Sequence, residues 1–380
     1  MIARTVFEPE HELFRESVSR LFEAEAVPYH AQWEKDGQVD RAMWNKAGEQ
    51  GLLAPMVTEE YGGFGADFRY NTVVAEEVSR MGLTGLGFSL HSDIAVPYII
   101  NYGTEAQKQK YLPGCVSGDI ITAIAMTEPG AGSDLQAVAT TAVLDGAHYI
   151  LNGSKTFITN GQLSDLVIVV CKTDPDAGAK GTSLLLVEAG TEGFSKGNNL
   201  EKLGMKAQDT SELFFNDARI PKENLLGEEG MGFIYLMEEL PQERLSVAVG
   251  AIMNAESILS QTIEYVKERK AFGKPIAAFQ NTQFKLAEMH TDLTVARVFI
   301  DKCLELHLNK ELDGPTAAQA KLMSTDLQCS VLDECLQLHG GYGFMWEYPV
   351  ARAFADARVQ RIYAGTNEVM KVIIGREILK

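Results

Sequence analysis

The feature that most constrains the fold is a change in hydrophobic periodicity along the 380-residue chain. From Pro9 to Val27, apolar side chains recur at helical spacing, which predicts an opening helix that Pro28 would end. Similar spacing predicts helices over residues 41–51, 70–81 and 105–112. The chain is therefore predicted to begin with a helical domain, residues 1–118.

The middle of the chain has short apolar runs separated by dipeptides that favour tight turns between strands: Asp145-Gly146, Asn152-Gly153 and Asn160-Gly161. Residues 119–226 are therefore predicted to form an antiparallel, β-barrel-like domain. Long amphipathic patterns then return, and they predict a C-terminal four-helix bundle over residues 227–380. Those patterns cover residues 242–269, 284–308, 316–338 and 368–379. The predicted fold class is a multidomain α+β chain with the order helical, β, helical.

Charge and composition disfavour several classes of protein. The formal net charge is −18, with acidic and basic residues interspersed, which argues against binding to nucleic acids or anionic membranes. The five cysteines include no Cys-x-x-Cys pair, so neither a disulfide framework nor a zinc site is indicated. With neither a leader-like N-terminus nor an apolar run of about 20 residues, the sequence predicts a cytoplasmic protein and is compatible with a bacterial origin.

Common catalytic and nucleotide-binding motifs are missing. The sequence contains no P-loop, no Gly-x-Gly-x-x-Gly after a strand, no Gly-x-Ser-x-Gly and no His-Glu-x-x-His. The seven histidines lack the spacing of metal ligands, so no metal site is expected. Nucleotide binding by the usual folds is disfavoured.

Two segments of the middle domain have a chemistry that suits a flat, polar ligand. Residues 125–134 place glycines and the hydroxyl groups of Thr127 and Ser133 after an apolar strand, where free backbone amides could hold a pyrophosphate or a ring carbonyl. A bare turn is the alternative. Further on, Phe157 stands two residues from Thr159, so one strand face offers both an aromatic ring and a hydroxyl.

Two further segments precede predicted helices. In Leu240-Pro241-Gln242-Glu243-Arg244, a proline would open a helix and Glu243 would stand in its first turn, where the helix dipole and Arg244 favour the ionised carboxylate. The alternative is an acid that only stabilises the helix. Residues 361–368 form a small-residue turn whose amides could face a ligand, and the alternative there is a helix cap by Thr366.

Taken together and in this order, these segments resemble the acyl-CoA dehydrogenase family over essentially the whole chain. Residues 126–133 are similar to its first flavin motif, and residues 268–274 to a segment that reaches FAD across a subunit interface. Residues 337–343 and 363–368 are similar to its C-terminal flavin loops. The resemblance implies bound FAD and a homotetramer built as a dimer of dimers.

The resemblance also implies roles for individual residues. The residues that it places around FAD are Met126, Thr127, Gly132, Ser133, Phe157, Thr159, Arg269, Phe272, Gln280, Gln337, Gly340, Gly341, Thr366 and Glu368. The residues that it places near the acyl-CoA substrate are Ser133, Arg244 and Gly365.

The sequence departs from many family members at one position. Ala364 stands where those members carry the catalytic glutamate after the tyrosine of the last loop. Members of the long-chain and isovaleryl subgroup place that glutamate on the helix after the middle domain, which implies Glu243 as the base here. The backbone N–H of Ala364 and a flavin ribityl hydroxyl would stabilise the enolate oxygen. An acyl pocket over residues 85–97, where Gly85, Gly87 and Ser89 are small, would leave room for a long or branched chain.

The implied activity is FAD-dependent oxidation of a medium-chain, long-chain or branched acyl-CoA to the trans-2-enoyl-CoA in fatty acid β-oxidation. Electrons would pass to an electron-transferring flavoprotein. One alternative is an acyl-CoA oxidase, which shares the site but uses O₂. Another is a catalytically silent binding module of the same fold, in which Glu243 would be merely structural.

Overall fold

The computed structural model describes residues 2–380 and confirms the predicted order of helical, β and helical parts. The helices of the N-terminal part are α1 (Pro9–Glu25), α2 (Val27–Asp36), α3 (Arg41–Glu49), α4 (Phe68–Met81), α5 (Val96–Tyr102) and α6 (Glu105–Ser117). A π-helical segment, Leu90–Ala95, leads directly into α5. Pro28 lies in the first turn of α2, where its missing N–H costs nothing, so the prediction that it only ends a helix is wrong.

Within the described residues, eight strands of the middle part form one sheet in the order β6-β7-β3-β2-β4-β5-β8, with β1 paired to β4. These strands are β1 (Thr122–Ala125), β2 (Thr141–Asp145), β3 (His148–Thr159), β4 (Leu166–Lys172), β5 (Thr182–Glu188), β6 (Phe194–Asn199), β7 (Thr210–Pro221) and β8 (Leu225–Leu226). Most pairs are antiparallel, as predicted, but β1 and β2 both run parallel to β4. β4 is buried along its whole length, because it lies inside the sheet and both of its faces are covered.

Two of the three predicted turns are present. Asp145-Gly146 connects β2 to β3, and Asn160-Gly161 follows β3. Asn152-Gly153 lies inside β3, so its assignment to a turn is wrong. A Cβ at Gly153 would stand 2.4 Å from the hydroxyl oxygen of Thr140, so the glycine permits a close backbone approach at a shift in the β3–β7 register.

The C-terminal part packs three long and two shorter helices around an apolar core, one helix more than the four predicted. Its helices are α7 (Gly232–Glu268), α8 (Gln280–Leu308), α9 (Gly314–His339), α10 (Pro349–Ala357) and α11 (Asn367–Ile378). A small hairpin, β9 (Lys270–Ala271) and β10 (Lys274–Pro275), joins α7 to α8. α7 packs on α8 and α9 within the bundle and on α4 of the N-terminal part. This single helix therefore contacts both helical parts, and it also bears Glu243.

The predicted domain boundaries at 118/119 and 226/227 stay predictions. Among the helices of residues 2–380, none combines the length and the apolar character that crossing a membrane requires.

Candidate active site

Glu243 lies in the interior of α7 rather than at its start. The helix begins at Gly232, and Pro241 is accommodated inside it, so the prediction that Pro241 opens the helix is wrong. Leu236 and Tyr235, on the turn before Pro241, are buried in an apolar cluster, and this packing extends the helix upstream of the proline. Glu243 is therefore too far from the helix N-terminus for the helix dipole to set its charge.

Burial determines the acidity of Glu243. Its side chain is 4% exposed, and the Tyr98 hydroxyl donates a hydrogen bond of 3.0 Å to its Oε1. Burial raises the pKa of Glu243 to about 7. The hydrogen bond from Tyr98 opposes this shift. The nearby carboxylate of Glu239 adds to it, whereas the charge of Arg244 opposes it. A carboxylate with this pKa is a suitable general base near neutral pH.

Arg244 is buried beside Glu243 with a hydrogen-bond donor free. Its side chain is 6% exposed, and its Nε has no hydrogen-bond partner among residues 2–380. Its Nη2 lies 3.9 Å from the position that a Cβ on Gly365 would take, so α7 meets the loop before α11 at this point. Because a buried polar atom without a partner is costly, this donor is available to an acceptor from a ligand or an ordered water.

The loop before α11 has an unusual backbone. Ala364 and Gly365 have φ angles of 52° and 87°, both in the left-handed region. The Thr366 hydroxyl accepts a hydrogen bond from the Val369 N–H, so Thr366 does cap α11, as one of the alternatives proposed. Behind the loop, the buried ammonium of Lys321 donates to the Gly365 carbonyl at 2.9 Å. Capping and ligand binding are thus compatible in this segment.

The loop after β1 is attached to β3. The Thr156 N–H donates to the Thr127 carbonyl at 2.9 Å, and the Lys155 ammonium donates to the Met126 carbonyl at 3.1 Å. Lys155 also forms a buried ion pair of 2.8 Å with Glu128. Gly132 and Ser133, further along the loop, are exposed. The loop is therefore anchored at its start, while its glycine-rich end is open to a ligand.

The Glu128 carboxylate has partners on every side. It accepts hydrogen bonds from the backbone N–H groups of Ala139 and Thr140 as well as from Lys155. Burial alone would raise the pKa of Glu128, but the hydrogen bonds from these groups lower it below its usual range. Glu128 is therefore held as a charged, structural acid.

The aromatic ring predicted to cover the flavin is available for stacking. Phe157 is 67% exposed and has a φ of 61°, next to a shift in the β3–β7 register between Lys155 and Ile158. Ile158 points into the core, whereas Thr159 is half-buried beyond it. A strained backbone that presents an aromatic ring to the outside suits a site for a flat cofactor, so these residues fit FAD.

A second group of predicted cofactor residues lies at the α7–α8 hairpin and at the end of α9. Phe272 stands at the hairpin turn with a φ of 51° and 97% of its side chain exposed. The Arg269 guanidinium lies 5.3 Å from the ring centre of Tyr342, beside Gly340 and Gly341. Gln337 is exposed on α9, Gln280 begins α8 and Glu368 lies in the first turn of α11. The roles predicted for this group stay predictions.

Two small residues of the predicted acyl pocket do not provide space for a chain. A Cβ on Gly85 would stand 2.5 Å from Cβ of Ala207, and a Cβ on Gly87 would stand 2.0 Å from Oδ1 of Asn160. The space beside each glycine is filled by the middle domain, so the prediction that these two small residues leave room for a chain is wrong. Within residues 2–380, no group of three or more acidic, histidine or cysteine side chains could hold a metal ion.

Tyr98, the Glu128–Lys155 pair and Lys321 were not predicted from the sequence. A lysine at a core-facing strand position, as in Lys155, was a signal that a buried partner must exist. Lys321 follows Ala320 in an alanine-rich stretch of a helix, and the same signal applied to it. Tyr98 gave no such signal, because it contacts Glu243 across 145 positions of sequence.

Comparison with known proteins identifies relatives over the whole chain. Three family models match in order: the acyl-CoA dehydrogenase N-terminal domain over residues 8–119, the middle domain over 123–218 and the C-terminal domain over 230–379. The mitochondrial long-chain specific acyl-CoA dehydrogenase of Mus musculus is 56% identical over 378 residues, which cover 99% of this chain and 88% of that protein.

Solved structures agree with the family models. An acyl-CoA dehydrogenase from Geobacillus kaustophilus has a TM-score of 0.98 and 52% identity, covering 99% of this chain and 100% of that one. An acyl-CoA dehydrogenase from Bacillus anthracis complexed with FAD has a TM-score of 0.91 and 33% identity, covering 98% of this chain and 68% of that one.

Proposed function

The chain belongs to the acyl-CoA dehydrogenase family, and from this premise we propose that Glu243 is the base that removes the α-proton of a long-chain acyl-CoA. The enzyme uses FAD, oxidises acyl-CoA and passes electrons to an electron-transferring flavoprotein. The preference for long chains rests on the 56% identity to the long-chain specific enzyme of Mus musculus. Neither the oxidase nor the silent module is favoured.

The observation that supports this assignment best is the environment of Glu243. Its carboxylate is buried, is held by Tyr98 and has a pKa raised to about 7. The loop that carries a catalytic glutamate in many relatives has Ala364 instead, so that loop supplies no competing acid. A buried carboxylate of raised pKa, next to an arginine with a free donor, is typical of a site for proton transfer.

Proton removal also needs stabilisation of the charge that develops on the thioester oxygen. The Ala364 N–H, in a loop held rigid by its cap and by Lys321, is the donor that we assign to that oxygen. One such donor is typically worth about 3 kcal/mol in acyl chemistry. Arg244 would contribute its free Nε donor and keep Glu243 ionised before substrate arrives. Bound FAD supplies the acceptor for the β-hydride.

We also propose that the protein is a homotetramer, and the cytoplasmic location stays a prediction. The exposed Phe272 at the α7–α8 hairpin supports assembly, because a side chain that is 97% exposed gains most from burial by a second subunit. Sedimentation of the purified protein should give four times the 41.7-kDa chain mass. A monomer at micromolar concentration would contradict the assembly.

An anaerobic titration of the flavin spectrum tests the proposed activity. Purified holoenzyme is mixed with straight-chain acyl-CoA thioesters of increasing length and with a branched one, and loss of the visible flavin bands is followed. Long-chain thioesters should bleach the flavin at the lowest concentrations. A series that peaks at butyryl-CoA would overturn the substrate preference. A bound flavin that no thioester reduces would overturn the activity.

A further inference from the structure

We propose that Lys321 is a positioning residue for the reaction: its ammonium holds the Ala364–Gly365 loop in the left-handed shape from which the Ala364 N–H donates to the thioester oxygen. The inference rests on the proposed function of Ala364 and adds a residue to it. Lys321 lies on α9, outside the loop that it would control, and its side chain is 0% exposed.

The loop needs an external restraint. Ala364 has a φ of 52°, a left-handed conformation that side chains other than glycine disfavour, and Gly365 follows with a φ of 87°. Two left-handed residues in succession persist only where the surroundings fix them. A donor N–H must also keep its direction during the reaction, because electrostatic stabilisation depends on donors that are already in place.

Lys321 restrains the loop from two sides. Its Nζ donates to the Gly365 carbonyl at 2.9 Å and to the Asn367 side-chain oxygen at 2.8 Å. Asn367 is 1% exposed and begins α11, and its side-chain amide donates in turn to the Thr325 hydroxyl at 3.0 Å and to Asp326 at 2.9 Å. The segment Gly365–Asn367 is thereby fixed to α9 at both ends, directly after Ala364.

The electrostatic setting of Lys321 differs from that of Lys155. Among the ion pairs of residues 2–380, none includes Lys321, whereas the equally buried Lys155 is paired with Glu128. Burial lowers the pKa of Lys321 to about 8, and the charge of Arg244 acts in the same direction. The carboxylates of Asp326 and Glu368 oppose this shift, and Arg361 adds to it. A buried cation that gains no ion pair, and that lies near a second cation, is costly to keep. The two hydrogen bonds that Lys321 donates, to the Gly365 carbonyl and to the Asn367 side chain, offset that cost.

The test compares two ligands that differ in the group the loop recognises. A 3-thia-acyl-CoA has an acidic α-carbon and a thioester carbonyl, but sulfur replaces its β-carbon, so it forms the enolate and has no β-hydride to lose. An S-alkyl-CoA thioether of the same length has no carbonyl. Binding of both to the FAD-loaded enzyme is measured by titration calorimetry. The native enzyme should bind the 3-thia-acyl-CoA about 100-fold or more tightly than the thioether.

Lys321→Met should reduce that preference about tenfold or more, with thioether affinity within about twofold of the native value. Lys321→Gln keeps an N–H donor without the charge and should recover part of the loss. Turnover should fall through kcat rather than KM, because the lost interaction is made to the developing enolate. A lysine with a merely structural role would weaken both ligands alike.

The matched control is Lys172→Met. Lys172 is also buried, at 4% exposed, and its Nζ donates to the Thr182 hydroxyl at 3.0 Å and to the Gly178 carbonyl, at the end of β4. This variant should keep the full preference for the 3-thia-acyl-CoA.

Each outcome has a distinct meaning. If the native enzyme shows no preference for the carbonyl ligand, the role proposed for Ala364 fails. If the native enzyme shows the preference and both Lys321 variants keep it, the role of Ala364 stands and the inference about Lys321 is overturned. If Lys321→Met does not fold or loses FAD, the Lys321→Gln variant decides by the same comparison.

Discussion

Two buried carboxylates, each beside a buried cation, show how the same charges serve different purposes. Glu128 forms an ion pair of 2.8 Å with Lys155 and accepts two backbone hydrogen bonds, and its pKa is lowered. Glu243 has Arg244 as its neighbour in sequence but shares no hydrogen bond with it among the described residues, and burial raises its pKa to about 7. Glu128 is saturated with partners, whereas the site of Glu243 and Arg244 retains free hydrogen-bonding capacity.

The difference lies in the direction of the side chains rather than in their chemistry. Lys155 on β3 reaches the loop after β1. Its ammonium donates there to the Met126 carbonyl and to the Glu128 carboxylate, and so holds the loop in place. Consecutive residues of α7 point in directions about 100° apart, so Glu243 and Arg244 cannot pair with each other. Because Arg244 does not pair with it, the Glu243 carboxylate stays able to take a proton.

The largest effect is expected from Glu243→Gln. The amide keeps the shape of the side chain and can accept the Tyr98 hydrogen bond, but it cannot take a proton. FAD should stay bound, and turnover with a long-chain acyl-CoA should fall about 10²–10⁴-fold or more in a steady-state assay. The matched control is Glu239→Gln, one turn earlier on α7 and also buried, at 7% exposed. A larger loss in the control than in Glu243→Gln would reassign the base.

The second effect is expected from Glu128→Gln, which should lower the free energy of unfolding. The variant leaves the ammonium of Lys155 buried without its counter-ion, which typically costs about 3–5 kcal/mol in the free energy of unfolding. Chemical denaturation of the FAD-free protein would measure it. The exposed pair of Glu264 and Lys267 provides the control, because Glu264→Gln should cost less than about 1 kcal/mol. Equal costs for both variants would contradict a structural role for Glu128.

The sequence predicted the architecture because periodicity reports which faces are buried. The helical ends follow from helical spacing and the β middle from short apolar runs between turn dipeptides, and the matches to the family models agree with that order. The errors lie where packing overrides local preference: Pro241 inside α7 and Gly153 inside β3. Both residues usually interrupt regular structure, and both are tolerated here because the surrounding contacts stabilise the longer element.

The site was predictable only in part. Glu243 and Ala364 stood out through a family pattern, but the value of a pKa depends on burial and on partners distant in sequence. Tyr98 reaches the site from α5, and no local pattern indicates that contact. Lys321 reaches it from α9, and the sequence around it indicates a buried partner without identifying which group that partner is. The same limit explains the error over Gly85 and Gly87, whose neighbours Ala207 and Asn160 come from the middle domain.

The third effect is a pH dependence that separates the two carboxylates. Because the base must be ionised, kcat/KM should rise about tenfold per pH unit below about 7 and level off above it. Glu128 has a lowered pKa, so it stays charged through this pH range and should add no second rise to the profile of kcat/KM. A profile of kcat/KM between pH 5.5 and 9 checks the position of the rise. A profile that is flat down to pH 5.5 would contradict the raised pKa of Glu243.

The smallest effect, and the sharpest test of the comparison, is expected from Tyr98→Phe. The Tyr98 hydroxyl is the one side-chain donor that the described residues offer to Glu243, and a donor to the charged form lowers a pKa. Its removal should move the rise in kcat/KM to higher pH by about one unit, equivalent to about 1.4 kcal/mol, with the plateau little changed. The free energy of unfolding should change little at pH 5.5, where Glu243 is protonated in the native enzyme. A shift to lower pH would mean that Tyr98 stabilises the neutral acid, and then the raised pKa of Glu243 would depend on this hydrogen bond rather than on burial.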